Sequence, residues 1–143
     1  LEFRRVLFRS HYYSNRRTSV EKIPAGVHGL SNHLLNTPWP KVEQGKAAVT
    51  RLLTETGTTL IDGLLAALAS RTVSPDESLP DTGVGLTRER VLSPAFIAAE
   101  SYGTRASTVV LIDHAGLITF VERSFAPGGA VEQTMRHEML ISS

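Results

Sequence analysis

Apolar residues crowd one stretch of the chain above all others. Thr108 to Ile112 reads TVVLI, β-branched and apolar at nearly every place, which predicts a strand buried on both faces. Asp113-His114-Ala115-Gly116 has the composition of a tight hairpin turn. Leu117 to Ser124 then reads as the return strand, apolar at 118, 120 and 121, with Glu122 and Arg123 where it reaches solvent or a site. Pro127-Gly128-Gly129 turns the chain again, and Val131 to Ile141 fits either a last strand or a frayed tail.

Helical spacing governs the middle of the chain. Thr37-Pro38-Trp39-Pro40 predicts a helix start, with Thr37 as the cap and proline tolerated in the first turn. Val42, Val49, Leu52 and Leu53 carry that helix to about Thr54, and Gly57 is expected to end it. Thr59-Leu60-Ile61-Asp62 resembles a capping box that opens a second helix, whose apolar face is Leu60, Ile61, Leu64, Leu65 and Leu68. The two helices are expected to pair antiparallel and cover a sheet. Thr72 to Arg90, punctuated by Pro75-Asp76, Pro80-Asp81 and two glycines, predicts a long connection. A short helix is expected from Pro94 to Glu100, capped by Ser93. Upstream, His11 to Arg16 reads as the end of a strand and Val20 to Ile23 as a second short one. The fold class is therefore α+β.

The first ten residues, LEFRRVLFRS, stand apart. The codons CTG GAG TTC AGA CGT GTG CTC TTC CGA TCT encode them in order, and that string resembles the end of a common sequencing-library adapter. Residues 1–10 are accordingly expected to be non-native, and the native chain to enter at His11 in mid-sequence. The segment holds Arg4, Arg5 and Arg9 against Glu2, so removing it turns the formal charge from +1 to one negative. No polyanion-binding surface is then expected, and hence no nucleic-acid partner. With 41% hydrophobic and 20% charged residues the chain is globular in composition. No apolar run is long enough to span a membrane and no leader is read, so the cytoplasm is the expected compartment. Cysteine is absent, which excludes disulfides, thiolate metal sites and a thiol nucleophile on this chain.

Two polar clusters carry candidate chemistry. In Gly29-Leu30-Ser31-Asn32, followed by Asn36 and Trp39, an asparagine amide beside glycine can donate to a carbonyl or oxyanion; Asn32 equally suits a turn cap. In Tyr102-Gly103-Thr104-Arg105 an arginine at the mouth of a strand can hold a carboxylate, or form a structural ion pair with Glu100 or Glu122. The five histidines, at 11, 28, 33, 114 and 137, have no metal-ligand spacing, so no metal is expected. A single histidine suffices for haem, so this spacing leaves haem open as a ligand.

Six stretches occur together in order: Tyr12-Tyr13-Ser14-Asn15-Arg16; Gly29 to Asn32; Thr37-Pro38-Trp39-Pro40-Lys41 with Gly45-Lys46; Leu79-Pro80-Asp81; Tyr102 to Arg105; and Phe120-Val121-Glu122-Arg123-Ser124. The series resembles the C-terminal half of the NRDE family, whose animal members are called transport and Golgi organisation protein 2. The resemblance covers essentially all of 11–143. It implies half of an αββα sandwich like that of the N-terminal-nucleophile hydrolases, in which two antiparallel sheets lie between helix layers. In such enzymes an N-terminal Cys attacks an amide carbonyl, with its own α-amino group as base. By analogy, Asn32 is expected to bind the carbonyl or oxyanion and Arg105 to be the site arginine. Tyr102, Trp39 and Asn36 are expected to contact substrate.

The family's namesake tetrapeptide and N-terminal Cys are both missing from this sequence. The resemblance therefore implies a truncated domain, inactive by itself, whose missing N-terminal half is its partner. Apolar surface on Val109, Leu111, Ile118 and Phe120 is expected to lose contacts. A small-molecule amide is the expected substrate. The alternative that the resemblance brings is binding and trafficking of haem or of a lipid or acyl-CoA, with no resident cofactor. A third expectation is that these residues have no independent function.

Overall fold

The computed structural model describes residues 10–141; residues 1–9, on which most of the adapter reading falls, lie outside the described part. The chain is a mixture of helices and antiparallel sheet, an α+β fold. Its order is β1 (His11–Tyr12), β2 (Glu21–Lys22), α1 (Pro40–Leu52), α2 (Gly57–Leu68), a 3-10 turn (Asp76–Ser78), α3 (Leu86–Leu92), β3 (Ala106–Ile112), β4 (Leu117–Phe125) and β5 (Val131–Leu140).

Strands β3, β4 and β5 form an antiparallel meander. The β3–β4 turn is built by Asp113, whose Oδ1 accepts from the N–H groups of Ala115 (2.8 Å) and Leu117 (2.9 Å). Val131 to Leu140 is a paired strand rather than a frayed tail, although its residues are exposed throughout. β1 and β2 make a separate two-stranded pair.

The meander has two unlike faces, because successive side chains alternate across a strand. Val109 pairs with Val121, and both are buried beneath Ile61 and Leu65 of α2. The opposite face carries the register rows Val110–Phe120–His137 and Ile112–Ile118–Met139. There Val110 is 52% and Met139 54% exposed. The expectation that β3 is buried on both faces is thus corrected: only its helix-side residues are covered. The apolar residues expected to lose contacts also divide. Val109 and Leu111 pack against the α2 core, whereas Ile118 and Phe120 lie on the open face beside Val110 and Ile112.

Several helix boundaries differ from the pattern reading. Trp39, not Thr37, is the cap residue of α1, and it caps through its backbone. Gly57 does break the chain between the helices, at φ +57°, but it is the first residue of α2 and not the stop of α1. Thr59 therefore sits inside α2 and caps nothing. The expected helix at Pro94–Glu100 does not form. Its N–H groups are taken elsewhere: Phe96 donates to Ser70 O (2.8 Å), Ile97 to Thr104 Oγ1 (3.0 Å) and Ala99 to Tyr102 O (3.0 Å). Phe96, 2% exposed, anchors the segment by meeting the Phe125 ring edge-on at 4.7 Å. The long connection instead contains α3, whose buried residue is Glu89.

Candidate ligand site

The loop before α1 is closed on itself. Gly29 N–H donates to Asn36 Oδ1 (3.0 Å), and Asn36 N–H donates back to Gly29 O (2.7 Å). Asn36 holds a left-handed backbone, φ +59°, which asparagine tolerates because its side chain can bond locally. Its Nδ2 donates to His28 Nδ1 (2.9 Å), and His28 Nε2 donates to Pro24 O (3.0 Å). Gly29 is pressed onto α1: a Cβ there meets Val42 Cγ1 at 2.6 Å, so only glycine fits without displacement. The amide of Asn36 is thus engaged within the loop. Asn32, at the tip, is exposed, and its side chain has no hydrogen-bond partner among the described residues.

Thr37 Oγ1 donates to Leu34 O (2.8 Å) and so accepts from His33 Nδ1 (2.8 Å). This brings the His33 ring to 5.7 Å from the Trp39 ring. Both rings and Asn32 line a cavity of about 500 Å³. Its other walls include Arg16, Lys41, Ser74, Asp81, Thr82 and Glu89. Glu89 is buried; its Oε1 accepts from Thr82 N–H (2.8 Å) and Thr82 Oγ1 (2.5 Å). Lys41 Nζ donates to Leu92 O (2.8 Å). Burial lowers the Lys41 ammonium below its ordinary pKa, and the nearby Glu89 carboxylate partly opposes that shift. Ser93 Oγ donates to Arg90 O and accepts from Ser74 N–H, while Ser74 Oγ is buried without a partner among the described residues.

A second, more apolar cavity of about 550 Å³ lies along the helices and the edge strand β3, lined by Leu30, Val42, Val49, Leu64 and Val109 among others. Asn32 and Lys41 line both cavities. Tyr102 and Arg105 lie elsewhere, in a cleft of about 150 Å³ against Ala126–Gly129. The fold thus brings Asn32 and Trp39 together and sets Tyr102 and Arg105 together, in separate spaces. Glu122 accepts from Thr108 Oγ1 (2.9 Å), and Arg105 forms no ion pair among the described residues. Among those residues no group of three His, Asp or Glu side chains is placed to hold a metal ion. No helix among them is long and apolar enough to cross a membrane.

Four stretches far apart in sequence converge on the polar cavity. They contribute Arg16, Asn32, Trp39 to Lys41, and Leu79 to Asp81. Pattern reading missed Lys41, Ser74, Thr82 and Glu89 as site residues. Lys41 and Asp81 stood in the quoted motifs, whereas Ser74 and Glu89 had no sequence signal.

Fold and cavities define an α+β protein with a helix-covered antiparallel sheet and an asparagine loop between two pockets. The chain belongs to the transport and Golgi organisation 2 family, whose profile matches residues 4–127. That match begins inside the ten residues read as adapter. Among its relatives, a Bos taurus transport and Golgi organization protein 2 homolog is 33% identical, over 92% of this chain and 51% of its own length. Homologs of the same name from Mus musculus and Homo sapiens are each 31% identical, over 79% of this chain and 44% of theirs. The chain thus spans about half the length of the curated relatives it matches.

Proposed function

We propose that the chain is the carbonyl-binding half of an amidohydrolase-like domain, with Asn32 donating to the substrate oxygen. The observation that carries this is the Asn32 amide, without a partner among the described residues, on the wall shared by a polar and an apolar cavity. An amide N–H held where negative charge develops stabilises the transition state more than the ground state. Trp39 forms part of the substrate wall, and Arg16 is the arginine that shares Asn32's cavity. Arg105 and Tyr102, set apart in the smaller cleft, take no part in holding that carbonyl. With no cysteine in the sequence, the attacking thiol comes from outside this chain. In this reading the open apolar sheet face receives a second sheet, which completes an αββα sandwich, and the domain works in the cytoplasm as a native chain from His11.

The test is hydrolysis of acyl-amide substrates by a complete family protein carrying this sequence. Asn32→Ala is expected to lower kcat by roughly a hundredfold or more; an unchanged rate contradicts the proposal.

A second reading, transport of haem or of a lipid or acyl-CoA, is favoured by the apolar cavity and, in the adjoining polar cavity, by His33, whose Nε2 has no partner among the described residues. It suits the relatives' naming for transport and Golgi organisation. Haem titration decides the haem part of it: a shifted Soret band lost in His33→Ala supports haem carriage, and no shift at micromolar haem removes haem as the ligand.

A further inference from the structure

We infer that the polar cavity binds a free α-amino acid, its carboxylate on Lys41 and its ammonium on Glu89. Three groups there keep hydrogen-bonding capacity that the fold leaves unused. Lys41 Nζ can donate three hydrogen bonds and, among the described residues, gives one, to Leu92 O. Glu89, 6% exposed, accepts both bonds from Thr82 on Oε1, and its Oε2 accepts none among the described residues. Ser74, 4% exposed, buries a hydroxyl with no partner among the described residues. All three line one space of about 500 Å³. Buried polar groups left unmatched are unfavourable, so a ligand that matches them is favoured.

The arrangement selects the class of ligand. Glu89 acts on Lys41 electrostatically, yet the two form no direct ion pair among the described residues. They offer opposite charges to one space, which a simple anion or a simple cation satisfies only by half. A zwitterion satisfies both. The Trp39 ring on the same wall gives the ligand's side chain an apolar surface. The inference concerns occupancy and does not rest on hydrolysis, so it stands or falls separately from the Asn32 reading.

The experiment is calorimetric titration of the full chain with L-phenylalanine, N-acetyl-L-phenylalanine and L-phenylalaninamide. Phenylalanine is expected to bind at least roughly tenfold more tightly than either blocked form, as for loss of one charged hydrogen bond. Equal binding of the three, or no binding of phenylalanine at millimolar concentration, overturns the inference. Glu89→Gln is expected to erase the preference over the N-acetyl form; a retained preference overturns it. Ser74→Ala removes a hydroxyl that has no partner among the described residues, so the fold is expected to be kept, and phenylalanine is expected to bind several-fold more weakly. Unchanged binding in that variant removes Ser74 from the site.

Discussion

Asn36 and Gly29 hold each other by two hydrogen bonds, one from each residue's N–H, and this clasp sets the loop that presents Asn32. Asn36→Ala removes the side-chain acceptor, leaves a half-buried N–H unmatched and places alanine at positive φ. A destabilisation of about 1–3 kcal/mol is expected. Asn36→Gly relieves the backbone and is expected to cost less. Denaturant unfolding of the two variants checks the order; equal loss in both shows that the lost acceptor alone matters.

Thr82 and Glu89 fasten the connection after the 3-10 turn to α3. Thr82→Ala removes the hydroxyl bond and leaves the N–H bond, whereas Glu89→Ala removes both, so their effects are expected to be non-additive, with a coupling of about 1–2 kcal/mol in a double-mutant cycle. Additive losses show that the carboxylate acts through other partners.

Two groups set opposite limbs of the stability profile. The hydrogen bond and charge of Arg90 hold the exposed Asp76 carboxyl below the usual carboxylate range. Its contribution is complete above about pH 4, the ordinary value, and is lost as pH falls through the lowered one. Asp76→Asn is expected to flatten that acid limb. Lys41 is depressed by burial, so the unfolded chain binds more protons between its lowered value and about 10.4, and stability rises with pH there. Lys41→Met is expected to flatten the alkaline rise. Unfolding midpoints across pH test both slopes.

The open sheet face makes a prediction about association. Val110, Ile112, Met135 and Met139 are each at least 40% exposed on the sheet, with Val110, Ile112 and Met139 in adjacent rows of one face. The chain by itself is expected to self-associate through that face. Val110→Thr with Met139→Thr is expected to shift sedimentation toward monomer. A parent chain that is monomeric and melts cooperatively contradicts the sandwich reading.

The parts legible from sequence were those fixed by local chemistry. Asp113 to Gly116 announces its turn, and Ile61 and Leu65 announce the buried stripe of α2 by their spacing. Helix α3 was hidden because the residue it turns inward is Glu89, which gives apolar periodicity nothing to register. The stretch after Ser93 looked helical until Ser70 O and Thr104 Oγ1 claimed its N–H groups. Asn32 and Trp39 were legible as a polar cluster near glycine and proline. Lys41 was not, because its carbonyl partner, Leu92, lies 51 residues on. Arg105 was readable as a strand-mouth arginine, but which cavity it enters depends on the Ala126–Gly129 turn.

The central claim is that Asn32, rather than Asn36 or Arg105, meets the ligand's carbonyl. Side-chain amide resonances of the ¹⁵N-labelled chain, followed while an N-acyl amide is added, address it directly. The Asn32 Nδ2 pair is predicted to shift saturably while the Asn36 pair, already engaged with His28, stays still. A still Asn32 with movement at Arg105 and Tyr102 would place the ligand in the smaller cleft and contradict the account.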